Sequence, residues 1–178
     1  MAKQVINIGA TANDGTGTPL RDAMDIVNDN FNERYQSSGW ESRFQAASQS
    51  LTVSNNLITI TGTSESNGSL TFLDTNGKVI PIQENDVLSI DFGCTIVTPA
   101  GSANYVNLTF VVNTEIYRAL TLPLLKGSGN DDHISLSANL PVGSAFIANG
   151  LEIYIETNEA LTINNKYISV NRSHLAVW

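Results

Sequence analysis

Apolar and polar positions change their period once along the chain. Between Thr18 and Tyr35 the apolar residues Leu20, Met24, Val27 and Phe31 recur at spacings of four, three and four. That is the seam of an amphipathic helix, loosely continued by Tyr35. Thr18 has the chemistry of an N-cap, and Pro19 suits the first helical turn. Asp22 and Asp25 sit near that end, where the helix dipole favours anions. The polar spacer Gln36 to Gly39 stops the pattern. A helix this short is marginal in water by itself. Its seam therefore needs a surface, either the following domain or copies of itself.

Trp40 to Ser50 follows neither period, and is ambiguous between helix and loop. From Leu51 the period becomes two. LTVSNNLITI reads as a hairpin turning at Ser54-Asn55-Asn56. SLTFLDTNGKVIPI reads as a second hairpin, with Asn76-Gly77 as a type I′ turn. VLSIDFGCTIV, YVNLTFVVNTEIYRALTLPLL, HISLSA, FIANGLEIYIE, LTINN and KYISV follow as strand candidates. Turn-forming clusters separate them: TPAGSAN, KGSGNDD and NLPVGS. Short strands at this spacing predict a mainly β protein, a jelly-roll-like or sandwich domain preceded by an arm and a short helix. The expected layout is residues 1–40 as arm and helix, 41–50 as linker and 51–178 as the β domain.

Composition narrows the function. The 178 residues are 42% hydrophobic and 15% charged, a globular balance rather than a disordered one. The net charge is −8, and no Lys/Arg cluster occurs. Counterion release needs grouped cations, so no nucleic-acid partner is expected. No apolar run approaches the ~18 residues of a membrane span, and MAKQVINIGA lacks the apolar core of a secretory signal. No membrane insertion is expected, and the chain reads as made in a cytoplasm or assembled there. Cys94 is the single cysteine. Its apolar surroundings in the run Val87 to Val97 predict a buried small hydrophobe.

Strand, glycine loop and helix in Ile6 to Phe31 outline a phosphate site, but the chemistry is missing. Gly9 and Gly15 do not lead into the Lys of a Walker loop. Gly15 and Gly17 are followed by Leu20, which breaks the dinucleotide fingerprint, and no βαβ pattern follows. DGTGT at 14–18 resembles the phosphorylated-Asp motif of cation pumps, with Gly15 where the Lys would stand. The simpler reading is a turn at Asn13-Asp14-Gly15, with Gly17 giving freedom before Pro19. No catalytic, cofactor or metal set is expected elsewhere. His133 with Asp131 and Asp132 supplies too few ligands and reads as a solvated turn. Glu152 and Glu156 share one strand face without marking a glycosidase pair. Sequons at Asn67, Asn107 and Asn171 are expected by chance in an Asn-rich chain.

INIGATANDGTGTPLRDAMDIVNDNFNERY resembles a segment found near the N-terminus of bacteriophage virion appendage proteins, of the tail-fibre and head-decoration type. There it reads I-N-x-G-x-x-x-N-D-G-T-G-D-x-L-R-x-A-x-x-K-x-N-x-N-F-x-E-x-Y. About fifteen positions agree in register over roughly 30 residues. Thr18 replaces the usual Asp, and Ile26 the usual Lys, which adds apolar surface beside the seam. The resemblance implies a non-enzymatic virion structural protein, assembled in the host cytoplasm. Attachment or assembly would fall to Asn13, Asp14, Gly15, Gly17, Leu20, Met24, Val27 and Phe31. Its implied partners are itself, as a homotrimer, and other virion proteins of head, collar or tail. Two alternatives stay open: a receptor-binding tail-fibre protein recognising a host surface glycan or protein, and a glycan-degrading virion enzyme.

Overall fold

The computed structural model describes residues 6–7, 15, 17–19, 22–28, 38–67, 70–97, 105–124 and 131–174. Residues 22–28 are helical (α1). The rest is almost all strand: β1 Ser38–Gln45, β2 Gln49–Leu51, β3 Ser54–Leu57, β4 Ser64–Ser66, β5 Asp86–Val97, β6 Tyr105–Val112, β7 Glu115–Pro123, β8 Asp131–Pro141, β9 Glu152–Thr157 and β10 Leu161–His174. A single turn-and-a-half helix, α2 Ser144–Asn149, interrupts them.

The strands form two antiparallel sheets. The first runs β4-β1-β10-β5-β8, with β2 also beside β10, and the second runs β3-β9-β6-β7. Each sheet joins strands far apart in sequence, and the two share one core as a mainly β sandwich, as expected from the strand spacing. Period-two burial builds the core between the sheets. β5 contributes Leu88, Ile90, Phe92, Cys94 and Ile96, and β6 contributes Val106, Leu108, Phe110 and Val112. On β10, beyond the buried Leu161 at its start, the buried apolar residues are Ile163, Ile168 and Val170. Ile168 lies five positions after Ile163, an odd number that would put them on opposite faces. A bulge between Asn164 and Tyr167 restores the phase, with Asn165 at φ 47°. It also turns Lys166 inward, where its ammonium donates to Gln49 Oε1 at 3.2 Å. Burial pushes that lysine's pKa below its ordinary value.

The sandwich begins before the expected boundary. The segment read as linker, 41–50, contains most of β1 and the start of β2. β1 pairs with β10 along its whole length, from Ser38↔Ser173 to Gln45↔Lys166. Its inward residues are Gly39, Glu41 and Arg43, while the half-exposed Phe44 points out. The polar pair works because a long excursion, described at residues 58–67 and 70–85, packs against this strand. That excursion puts Ile58, Ile60, Phe72, Leu73 and Val79 into the core. Its backbone needs polar partners there. Glu41 Oε2 accepts the N–H groups of Phe72 (2.6 Å) and Leu73 (3.0 Å), and Oε1 accepts Ser64 Oγ (2.8 Å) and Arg43 Nη2 (3.3 Å). Arg43 donates on to the carbonyls of Ile60 and Asp74. A second buried ion pair joins the far ends of β10 and β5: Arg172 Nε meets Asp86 Oδ2 at 2.6 Å.

Three local expectations change. LTVSNNLITI is not a hairpin, because Leu51 pairs with Leu161 in the first sheet and Ser54 with Thr157 in the second. The link Thr52-Val53 carries the chain across the sandwich. FIAN of the expected strand FIANGLEIYIE is α2, anchored by the buried Phe146 and stopped at Gly150, whose φ of 67° suits glycine. Asn76-Gly77 turns the chain between Leu73 and Val79 as expected, but only Gly77 takes positive φ (85°), and Gly77 N–H bonds Asp74 O. The turn is therefore type I followed by a left-handed glycine, rather than type I′. The two-residue type I′ geometry belongs instead to Asn113 and Thr114, at φ 47° and 72°, between β6 and β7.

Candidate functional site

Of the arm residues assigned to attachment, Asn13, Asp14, Leu20 and Phe31 lie outside the described residues. Gly15 has φ 74°, a turn conformation that favours glycine, and Gly17 is exposed. The Thr18 hydroxyl accepts the Asn7 N–H at 3.1 Å, and Thr18 N–H donates to Asn7 O at 2.7 Å. Those two bonds close the glycine loop at its base. The cap bond expected of Thr18 falls on residues outside those described. Ala23 N–H bonds Pro19 O, a bond of helical spacing that reaches back from α1 to the proline. Met24 is 53% exposed, and Val27 is partly buried.

In the sandwich, the side chains with chemistry to offer gather on the outer face of the second sheet. The register sets them in rows. Asn55, Glu156, Asn107 and Thr121 lie opposite one another across all four strands. Beside them run Leu57, Tyr154, Thr109 and Ala119, and then Glu152, Val111 and Ile116. Hydrogen bonds tie the polar members together. Thr121 Oγ1 donates to Asn107 Oδ1 (3.2 Å), and Asn107 Nδ2 to Glu156 Oε2 (3.3 Å). Tyr154 Oη donates to Glu152 Oε2 (2.9 Å), and Lys78 Nζ pairs with Glu152 Oε1 (3.1 Å). Partial burial and the neighbouring carboxylate push the Tyr154 hydroxyl above its ordinary pKa. These rows floor a groove of about 600 Å³. Asn113 and Thr114 stand at its rim in their left-handed turn. A positive φ at a β-branched residue is strained, and strain of this kind gathers at functional sites.

No family model and no curated protein matches the chain. One solved structure it resembles is the PRD1 vertex protein P5. That likeness has a TM-score of 0.49 at 15% identity, over 77% of this chain and 73% of that one.

Glu152 and Glu156 do share one face, but four residues along a strand span about 13 Å. Glu152 is bound to Lys78 and Tyr154, and Glu156 to Asn107. His133 is not in a turn: Asp131 to His133 open β8, opposite Val97 to Thr95. Its ring stacks near Tyr167, with centroids 6.4 Å apart. Among the described residues no three His, Cys, Asp or Glu side chains come together as a metal site. Cys94 is fully buried, and desolvation pushes its thiol up to about 12. The sequence marked Glu152 and Glu156. It missed Asn55, Asn107 and Tyr154, because only sheet register brings residues a hundred positions apart into one row.

Proposed function

We propose that this chain is a non-enzymatic structural protein of a bacteriophage virion, assembled in the host cytoplasm. In this reading it is a homotrimeric appendage or head-decoration protein. Its arm and helix bind other virion proteins of head, collar or tail, and its β sandwich is displayed outward. The 30-residue N-terminal resemblance supports the class. The observation that carries the attachment role is Met24: a seam residue more than half exposed leaves apolar surface for a partner. The test compares the whole chain with a truncation beginning at Ser38, which keeps β1. Both should be soluble and β-rich by circular dichroism. Only the whole chain should sediment as a trimer and co-purify with particles. Incorporation of the truncation at the normal level would refute the attachment role.

A further inference from the structure

We propose that the outer face of the second sheet is a binding site for neutral, hydroxyl-rich saccharide chains. The site lies in the sandwich, so it stands or falls separately from the attachment role of the arm.

Three properties of the groove select this ligand class. Its floor is a preformed polar lattice: the bonds among Thr121, Asn107 and Glu156, and among Lys78, Glu152 and Tyr154, hold amide and carboxylate groups in place before anything binds. Pre-organisation of this kind lowers the cost of association. A carboxylate offers about four acceptor positions, and an amide both donates and accepts. Glu156 spends one position on Asn107, so the row Asn55, Glu156 and Asn107 can meet adjacent hydroxyls that each donate and accept. The next row carries the partly buried Tyr154 ring, an apolar surface for the C–H face of a sugar.

Charge and shape exclude other occupants. Glu152 and Glu156 outnumber Lys78, and Lys78 is already paired with Glu152, so an anionic saccharide or a phosphate would be repelled. An apolar small molecule would strip water from the polar row without replacing its hydrogen bonds. Lys78 and Glu152 also line a second hollow of about 220 Å³ beside the groove, so an extended chain of units has more surface to meet than a single one. The groove's own volume of about 600 Å³ lies within the roughly 300–1,000 Å³ usual for ligand sites.

The test titrates the whole ¹⁵N-labelled chain with neutral oligosaccharides of hexose, N-acetylhexosamine and deoxyhexose units, and with an oligogalacturonide as the anionic comparison. At least one neutral oligosaccharide should shift the amides of Asn55, Asn107, Tyr154 and Glu156. Tyr154→Ala and Glu156→Ala should each weaken it about tenfold or more, as loss of a central contact does. Ser137→Ala, on the other sheet, should leave it unchanged. Four results would overturn the proposal: no neutral oligosaccharide binding, binding indifferent to the groove variants, preference for the oligogalacturonide, or groove amides that shift with protein concentration alone. The last would assign the face to a second copy of this chain. Wild-type amide dispersion in each variant confirms that the fold is intact. Tyr154→Phe supplies a ring-retaining variant if Tyr154→Ala does not fold.

Discussion

Replacing Glu41 by alanine should destabilise the sandwich more than any other single side-chain truncation on β1. Its carboxylate is 3% exposed and accepts four donors. Alanine would leave the buried N–H groups of Phe72 and Leu73 without an acceptor, at about 1–3 kcal/mol each. It would also leave the Arg43 guanidinium buried without its counter-charge, and breaking a buried pair this way costs about 3–5 kcal/mol. Arg43 keeps Ile60 O and Asp74 O, and the losses are not additive, so about 4 kcal/mol is the reasonable total. Glu41→Gln is the informative comparison. One amide oxygen can still serve the two backbone N–H groups, so the loss should be about half as large, chiefly the charged contact to Arg43. With a urea m-value of about 2 kcal/mol/M, the alanine midpoint should fall by about 2 M and the glutamine midpoint by about 1 M. Amide exchange at Phe72 and Leu73 should speed up in the alanine variant first. An alanine shift below about 0.5 M, or a glutamine variant as weak as alanine, would refute the reasoning.

Gly62→Ala should cost about 2 kcal/mol or more, because the new Cβ would stand 1.8 Å from Phe44 O, a backbone atom that cannot swing aside; its thermal midpoint measures this, and an unchanged midpoint would count against the packing described. A truncation beginning at Leu51, the boundary expected from the change of period, should fail to fold, since it deletes β1 and the Glu41 and Arg43 contacts; a β-rich, soluble product by circular dichroism would contradict the role given to that strand. Cys94 should resist iodoacetamide at pH 8.5 until urea is added. Its folded pKa lies above the 9.0 of the unfolded thiol, so its contribution is complete below pH 9 and is lost as pH rises towards about 12; comparing urea midpoints with Cys94→Ala across that window isolates the effect. If the proposed trimer is held by the helix seam, Met24→Ser should lower its sedimentation coefficient to that of a monomer while leaving the stability of the sandwich within about 0.5 kcal/mol of wild type.

The strands most legible in the sequence are those whose alternation is apolar inward. β5 is the clearest, because Leu88, Ile90, Phe92, Cys94 and Ile96 mark one face without a break. β1 was hidden because its pattern is inverted: Glu41 and Arg43 point in while Phe44 points out, which no hydropathy period reports as a strand. The crossing at Thr52-Val53 was read as a hairpin because two short strands joined by a tight link look alike whether they pair or part. α2 is six residues with one buried side chain, too short to show a period. The groove was the least legible feature of all. Its rows depend on register across four strands, and a one-residue slip would dissolve them.

The place where the arm joins the sandwich also fixes how the domain meets mechanical load. Ser38 opens β1 opposite Ser173, near the end of β10. A tether running through the arm would draw on that pair first, and three residues later on Glu41, which is bolted to Phe72, Leu73, Ser64 and Arg43. Because β1 is flanked by β10 and, at Glu41 to Arg43, by β4, a pull along its axis must break hydrogen bonds on both sides together rather than one after another. The polar cluster that disguised this strand thus sits where a clamp would be most effective, at the entry of the force into the domain.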